Sequence, residues 1–330
     1  MTDPAATSPN ALSRRAFLAL AALAAGAAHL ALAGRALAAD RRASPWAPAG
    51  AVVAREPFGA LERVAEGVWA LVSTPFAGDR TTLSNGGLVA GRDGVLAVEG
   101  FNQPAGARWL AERARELTGR WPTHVVVTHY HADHANGLAG YRDADARCAV
   151  HGTAATRDAA LRNAPADPSR EAALRDAVIL PGDADTALDL GGRTVRVRPF
   201  AAHTASDVAV LVDDAEVAFG GDLLWNGIFP NYVDATPSRL GAAARALRRD
   251  GRGRFVPGHG PVGRAPDVDR YLALLDEAER AARAAHAAGL PATDAAAAFA
   301  LPASLGEWTL FSRAFHDRAF AAWYRELGAR

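Results

Sequence analysis

Thr128-His129-Tyr130-His131-Ala132-Asp133-His134 follows a run of β-branched residues, Val125-Val126-Val127, without a gap. The run 123–128 reads as a buried strand. It carries the chain straight into three imidazoles and one carboxylate within six positions. On an extended chain, residues two apart share a side, so His129 and His131 point together. Asp133 and His134 continue into a turn. Such packing of imidazole and carboxylate is costly to bury unless a cation takes up the charge and the lone pairs. The stretch therefore reads as a metal-binding cluster at the end of a buried strand. Four of the ten His fall between Thr123 and His134.

Outward from this stretch, β-like runs precede it at 52–55, 64–73, 82–91 and 94–99, separated by Gly and Asp turns. Residues 104–117 have helical spacing, with Trp109, Leu110, Ala114 and Leu117 on one side and Pro104 at the start. Behind it come short strands at 147–150, 194–199, 208–212, 216–219 and 255–256. Helices are expected at 153–163 and 237–249. Beyond residue 267 the chain is mostly helical, with a break near Gly289-Leu290-Pro291. Strands and helices mixed through both halves suggest two sheets covered by helices, a pattern shared with other α/β layouts.

Three later segments complete a pattern. In order they are Ala202-His203-Thr204, Gly221-Asp222-Leu223 and Gly258-His259-Gly260. With His-x-His-x-Asp-His at 129–134, the sequence resembles the metallo-β-lactamase superfamily over roughly residues 60–265. The resemblance implies an αβ/βα four-layer sandwich with C-terminal helices added. It implies a first metal on His129, His131 and His203, a second on Asp133, His134 and His259, and Asp222 bridging them. It further implies a hydrolase in which a hydroxide held by two metals attacks an ester, thioester, lactone or lactam carbonyl. Asp133 can in addition orient that hydroxide and pass a proton, as a catalytic residue. The resemblance implies two ions per chain, and ligand chemistry points to zinc while leaving iron or a mixed pair open.

Asp222 stands where true β-lactamases of the family usually carry Cys or Ser, which favours the thioester and lactone hydrolases over a β-lactamase proper. An iron-dependent oxygenase of the persulfide dioxygenase type, with one metal held by His129, His131, His203 or Asp222, is the alternative from another reaction class. Around the ligands, Glu99 is expected to support a metal-ligating His, where the family usually shows the shorter Asp. Asp207, Thr128 and Thr204 are candidate braces. His124 and His151 read as structural, and His286 and His316 as surface residues. The segment Trp225–Tyr232 can wall a pocket or pack its loop, and 73–80, with Phe76, is a candidate flap.

Composition narrows the field. Formal net charge is zero, so nucleic acid is not an expected partner; a small-molecule substrate is, and a homodimer is compatible. The single cysteine, Cys148, allows no intrachain disulfide and no thiolate metal cluster. Every basic residue among the Lys and Arg is Arg. At the start, Ser13-Arg14-Arg15-Ala16-Phe17-Leu18 resembles a twin-arginine export signal. An Ala/Leu-rich stretch and Ala36-Leu37-Ala38-Ala39 follow, with cleavage expected after Ala38 or Ala39. The stretch is too weakly hydrophobic for a permanent membrane span. The expected organisation is thus an export signal at 1–39, a leader at 40–50, the sandwich domain at 51–265 and a helical extension at 266–330 packed on it. A periplasmic or secreted location follows from that reading.

Overall fold

The computed structural model describes residues 50–163 and 167–328. The expected signal and nearly all of the leader lie outside them. Five strands open the first sheet: β1 (Ala51–Glu56), β2 (Gly59–Ala65), β3 (Val68–Ser73), β4 (Gly86–Ala90) and β5 (Val95–Val98). After helix α1 (Pro104–Thr118), β6 (His124–Val126) adds in parallel. Two short helices, α2 (Ala132–Ala135) and α3 (Ala139–Ala144), lead to β7 (Ala149–Thr153). Helices α4 (Ala154–Asn163) and α5 (Pro168–Arg175) lead to β8 (Val178–Leu180). The eight strands lie in chain order.

The second sheet holds β9 (Thr186–Asp189), β10 (Thr194–Phe200), β11 (Asp207–Val212), β12 (Val217–Trp225) and, after α6 (Pro237–Arg249), β13 (Arg254–His259). Its order is β13-β12-β11-β10-β9, with β12 and β13 parallel. The chain ends in α7 (Ala265–Ala287), α8 (Ala292–Ala298) and α9 (Ala314–Gly328). None of the helices among the described residues is long and apolar enough to cross a membrane.

Strand β3 shows why the sheets stack. Its alternate residues divide between two cores. Trp69 and Leu71 join Leu110, Ala111 and Tyr141 under α1 and α3. Val68 and Ala70 face the other way and meet Val195, Val197, Val210 and Phe219 of the second sheet. Each buried Val, Leu or Phe among them contributes about 1.5–3 kcal/mol as an upper figure. Helices α6 and α7 cover the far side of the second sheet, against β12. The result is the expected four-layer α/β sandwich.

Several local expectations need correction. The run 64–73 is two strands, because Gly67 turns left-handed at φ 65° between them. On α1 the buried stripe is Ala107, Leu110, Ala111 and Ala114, while Leu117 is 39% exposed. It lies in the last turn, just before Gly119 caps the helix in the left-handed region. Helix α5 and strands β8 and β9 are not expected from the sequence. The strand expected at 216–219 is longer: β12 runs on through Asp222 to Trp225. His124 and His151 pair with each other, Nδ1 to Nε2 at 3.0 Å, and are structural as expected. Burial lowers the pKa of both, His151 to about 4.

Candidate metal centre

The ligand-bearing segments converge at one end of the sandwich. The sheets are tied there by Val208 N–H donating to Thr128 O (2.8 Å) and Asn85 N–H donating to Gly258 O (2.8 Å). His129 and His131 lie just past β6, and Asp133 and His134 fall in α2. His203 leaves β10, Asp222 sits in β12, and His259 ends β13. All seven come together. His129, His131, His203 and Asp222 offer four donor atoms within 4.8 Å of one another; Asp133, His134 and His259 form a second such group.

Asp222 faces both groups. Its Oδ2 lies 3.2 Å from His203 Nε2 and 3.9 Å from His129 Nε2. Its Oδ1 lies 3.2 Å from His134 Nε2 and 3.4 Å from His259 Nε2. The close approach of β13 leaves no room for a side chain opposite: a Cβ on Gly258 would stand 2.0 Å from Asp222 Oδ1. Gly221, at φ 50°, turns β12 so that the carboxylate points inward.

Hydrogen bonds around the cluster fix which nitrogens carry lone pairs. The Thr128 hydroxyl donates to Glu99 Oε1 (2.5 Å). Its oxygen can therefore only accept from His129 Nδ1, 3.0 Å away, so Nδ1 bears the proton and Nε2 the lone pair. His131 Nε2 donates to Asp234 Oδ2 (2.9 Å), leaving the lone pair on Nδ1. These two lone-pair atoms, His129 Nε2 and His131 Nδ1, face each other at 3.1 Å. Such an arrangement is repulsive without a cation between them. His203 Nε2 lies 3.1 Å from the same His131 Nδ1, and burial holds the pKa of His129 far below its ordinary value and that of His203 down at about 3. In the second group, buried His134 Nε2 and Asp222 Oδ1 have no hydrogen-bond partner despite their proximity. The donor set thus fits metal ions at both places.

Burial would depress His134, but Glu99, Asp222 and Asp133 together hold its pKa well above normal. His259 goes up to about 9: burial again opposes, and Asp222 with Asp133 prevails. Positive charge at these sites is what the carboxylates favour, and a metal ion would supply it.

Glu99 performs the expected support. It accepts from Thr128 N–H (3.1 Å) and from His134 Nδ1 (2.9 Å), and its backbone sits left-handed at φ 76°. The extra methylene of Glu therefore reaches both partners. Asp207 braces the His203 loop by accepting from Ala202 N–H (3.0 Å), Thr204 N–H (3.0 Å) and the Thr204 hydroxyl (2.7 Å). Burial nonetheless pushes its pKa up to about 6.

Sequence reasoning misses Asp234, which also accepts from the Tyr130 hydroxyl. No local pattern marks it; only the fold brings it beside His131. It likewise misses Asn85, whose side-chain amide donates to Pro257 O and Gly260 O and holds the His259 turn. Replacing Asp234 by Ala is expected to weaken metal affinity about 10–100-fold by freeing the His131 ring. Competition against a colourimetric chelator measures this. An unchanged affinity would mean that the ring is held by packing alone.

A cleft of about 370 Å³ opens over the cluster. Trp225 stacks on His259 at 4.2 Å between ring centres and lines the cleft with Asn231. Phe229 and Tyr232 are buried packing residues. The segment Trp225–Tyr232 thus divides between the two expected roles. Phe311 and Phe315 from the C-terminal extension also line the cleft.

Residues 80–279 match the Metallo-beta-lactamase superfamily. The chain is 31% identical over 147 residues to a hydroxyacylglutathione hydrolase of Parasynechococcus marenigrum, covering 43% of this chain and 50% of that relative. It thus spans about half of that relative's length. It is 24% identical over 220 residues to a type 2 metallo-beta-lactamase of Bacillus cereus, covering 65% of this chain and 79% of the relative. Among solved structures, a metallo-beta-lactamase from Erythrobacter litoralis superposes with a TM-score of 0.55 at 21% identity, covering 68% of this chain and 99% of that one. A mono-zinc metallo-beta-lactamase from Pseudomonas aeruginosa gives 0.53 at 20%, covering 70% and 98%. At these identities the structural likeness speaks for the fold.

Proposed function

The chain belongs to the metallo-beta-lactamase superfamily, and from that premise we propose a hydrolase that holds two zinc ions and cleaves an ester, thioester or lactone. The observation that carries this reading is Asp222, whose two oxygens face two separate groups of donor atoms. His129, His131 and His203 would hold one ion and Asp133, His134 and His259 the other, with Asp222 shared. When bound, such a pair supplies Lewis acidity and lowers the pKa of water from 15.7 towards about 7.

The chain's own groups do the rest. Glu99, Asp234 and Thr128 hold the imidazole rings in the orientation and tautomer that ligation needs. Trp225 and its aromatic neighbours restrict water at one side of the cleft. Asp133 is the most accessible acid of the cluster, with 26% of its side chain exposed against 4% for Asp222. It lines the cleft, with Oδ2 towards His259 and His134, and its remaining oxygen is placed to orient the attacking water and pass its proton on. The name of the Parasynechococcus marenigrum relative supports a thioester reading. Asp222, in place of the Cys or Ser usual in true β-lactamases, weighs the same way.

A panel of lactone, thioester, ester, lactam and phosphodiester substrates on zinc-loaded protein tests the proposal. Turnover of a carbonyl substrate, lost on chelation and restored by zinc, is expected. On that substrate Asp133→Asn should lower kcat by about 10²-fold or more beyond any loss of metal. No turnover of any member with two zincs bound would overturn the reading. One iron per chain with oxygen consumption would replace it by an oxygenase.

A further inference from the structure

We infer that residues 308–315 of the C-terminal extension belong to the substrate site, and that Phe311, Phe315 and Phe76 select a substrate whose reacting carbonyl carries a flat apolar group. This rests on the hydrolase reading above and names the substrate class for it.

The extension is fastened beside the metal centre. Thr309 N–H donates to Gly227 O and Phe229 N–H donates to Thr309 O, both at 2.9 Å. These bonds form a parallel bridge between Thr309 and Ile228, in the loop directly after Trp225. They set Phe311 over the cleft. Its ring meets His259 edge-on at 5.5 Å, on a ring that Trp225 already stacks against. Phe315 stands edge-on to Trp225 at 6.4 Å. An unbroken aromatic surface therefore starts at a metal-facing imidazole and runs outward.

At the rim it meets a segment from the other end of the domain. Phe76, between β3 and β4, stacks on Phe311 at 4.7 Å with a 26° interplanar angle. Phe76 is still 48% exposed, and Phe311 is only partly buried. Phe229 and Phe320 in the same region are fully buried. The pair thus leaves apolar surface next to Pro75, which lines the cleft with Phe311. Ring faces so placed accept another flat apolar group by stacking and by displacing water.

Charge points the same way. Arg80 is the one Arg among the residues lining the cleft, against Asp133 and Asp222. A substrate moiety with several carboxylates would find one guanidinium there, whereas an apolar ring finds Phe311 and Phe315 in the lining, with Phe76 stacked on Phe311.

The test uses full-length, zinc-loaded protein and a pair of substrates differing only in the acyl group, phenylacetyl against acetyl, on the same leaving group. Wild type is expected to prefer the phenylacetyl member by about tenfold or more in kcat/KM. Phe311→Ala and Phe76→Ala should each cut that preference about fivefold, mainly through KM for the phenylacetyl substrate. Phe76 is exposed, so its variant reports even if Phe311→Ala, checked by circular dichroism, fails to fold. No preference in wild type, or a preference untouched in both folded variants, overturns the proposal. If neither substrate turns over, the substrate panel above decides the hydrolase reading separately. Phenylacetate binding, followed by tryptophan fluorescence, then decides: binding weakened by Phe76→Ala sustains the aromatic wall, while absent or unchanged binding removes it.

Discussion

Asp222→Ala is expected to lower turnover by about 10³-fold or more and to leave the protein with less than its full complement of metal. Its two oxygens address the Nε2 atoms of both donor groups. Oδ2 faces His203 and His129, while Oδ1 faces His134 and His259. The side chain is 4% exposed, so water cannot easily take its place. Without it, six ligands remain in two groups with no shared anion, and the like charge of two ions would be less compensated. Asp222→Asn keeps the shape and loses the charge, and should sit between wild type and Ala in metal content. Atomic emission of the purified, zinc-reconstituted variants, alongside kcat/KM on the active substrate, measures both effects. Full metal and full turnover in Asp222→Ala would reduce Asp222 to a packing residue.

Glu99→Ala carries the largest expected cost in stability, about 3–5 kcal/mol in metal-free protein. The carboxylate is 1% exposed and accepts from Thr128 N–H, the Thr128 hydroxyl and His134 Nδ1. Alanine leaves all three donors buried and unpaired. Because the Thr128 hydroxyl then turns free, the proton on His129 Nδ1 is no longer dictated, and the ligand orientation of His129 and His134 loosens together. The midpoint of thermal unfolding should fall by about 10 °C for a domain of this size. Denaturant unfolding of chelated protein isolates the structural part. Glu99→Gln, which retains one acceptor oxygen, should recover part of the loss. A cost below about 1 kcal/mol would mean that water replaces the carboxylate.

The metal centre is legible in the sequence because its densest part is local. Three His and one Asp in six positions after a buried strand call for a cation, and His203, Asp222 and His259 occur in the order that the family resemblance requires. Residues that act through the fold are less legible. Asp234 is 103 positions from His131, and nothing in its own segment distinguishes it from a turn residue. The length of β12 is hidden by Gly220-Gly221, which reads as a break. In the fold, parallel pairing with β13 carries the strand past it, with a register irregularity at Gly221. Helix α5 is short, and its signal is a single cap, Asp167 accepting from Ser169 N–H and Arg170 N–H. Strands β8 and β9 are short and largely exposed, so they lack the apolar alternation that marks a strand. The cleft-lining role of Phe311 depends on a two-bond bridge at Thr309 that leaves no periodic trace.

Anomalous scattering from crystals of zinc-loaded protein, recorded at the zinc edge, tests the two-metal centre most directly. Two peaks per chain are expected. One lies among His129, His131 and His203, the other among Asp133, His134 and His259, with one oxygen of Asp222 directed at each. A single peak at full zinc loading, or two peaks with the Asp222 carboxylate turned away from either, would contradict a shared two-metal site.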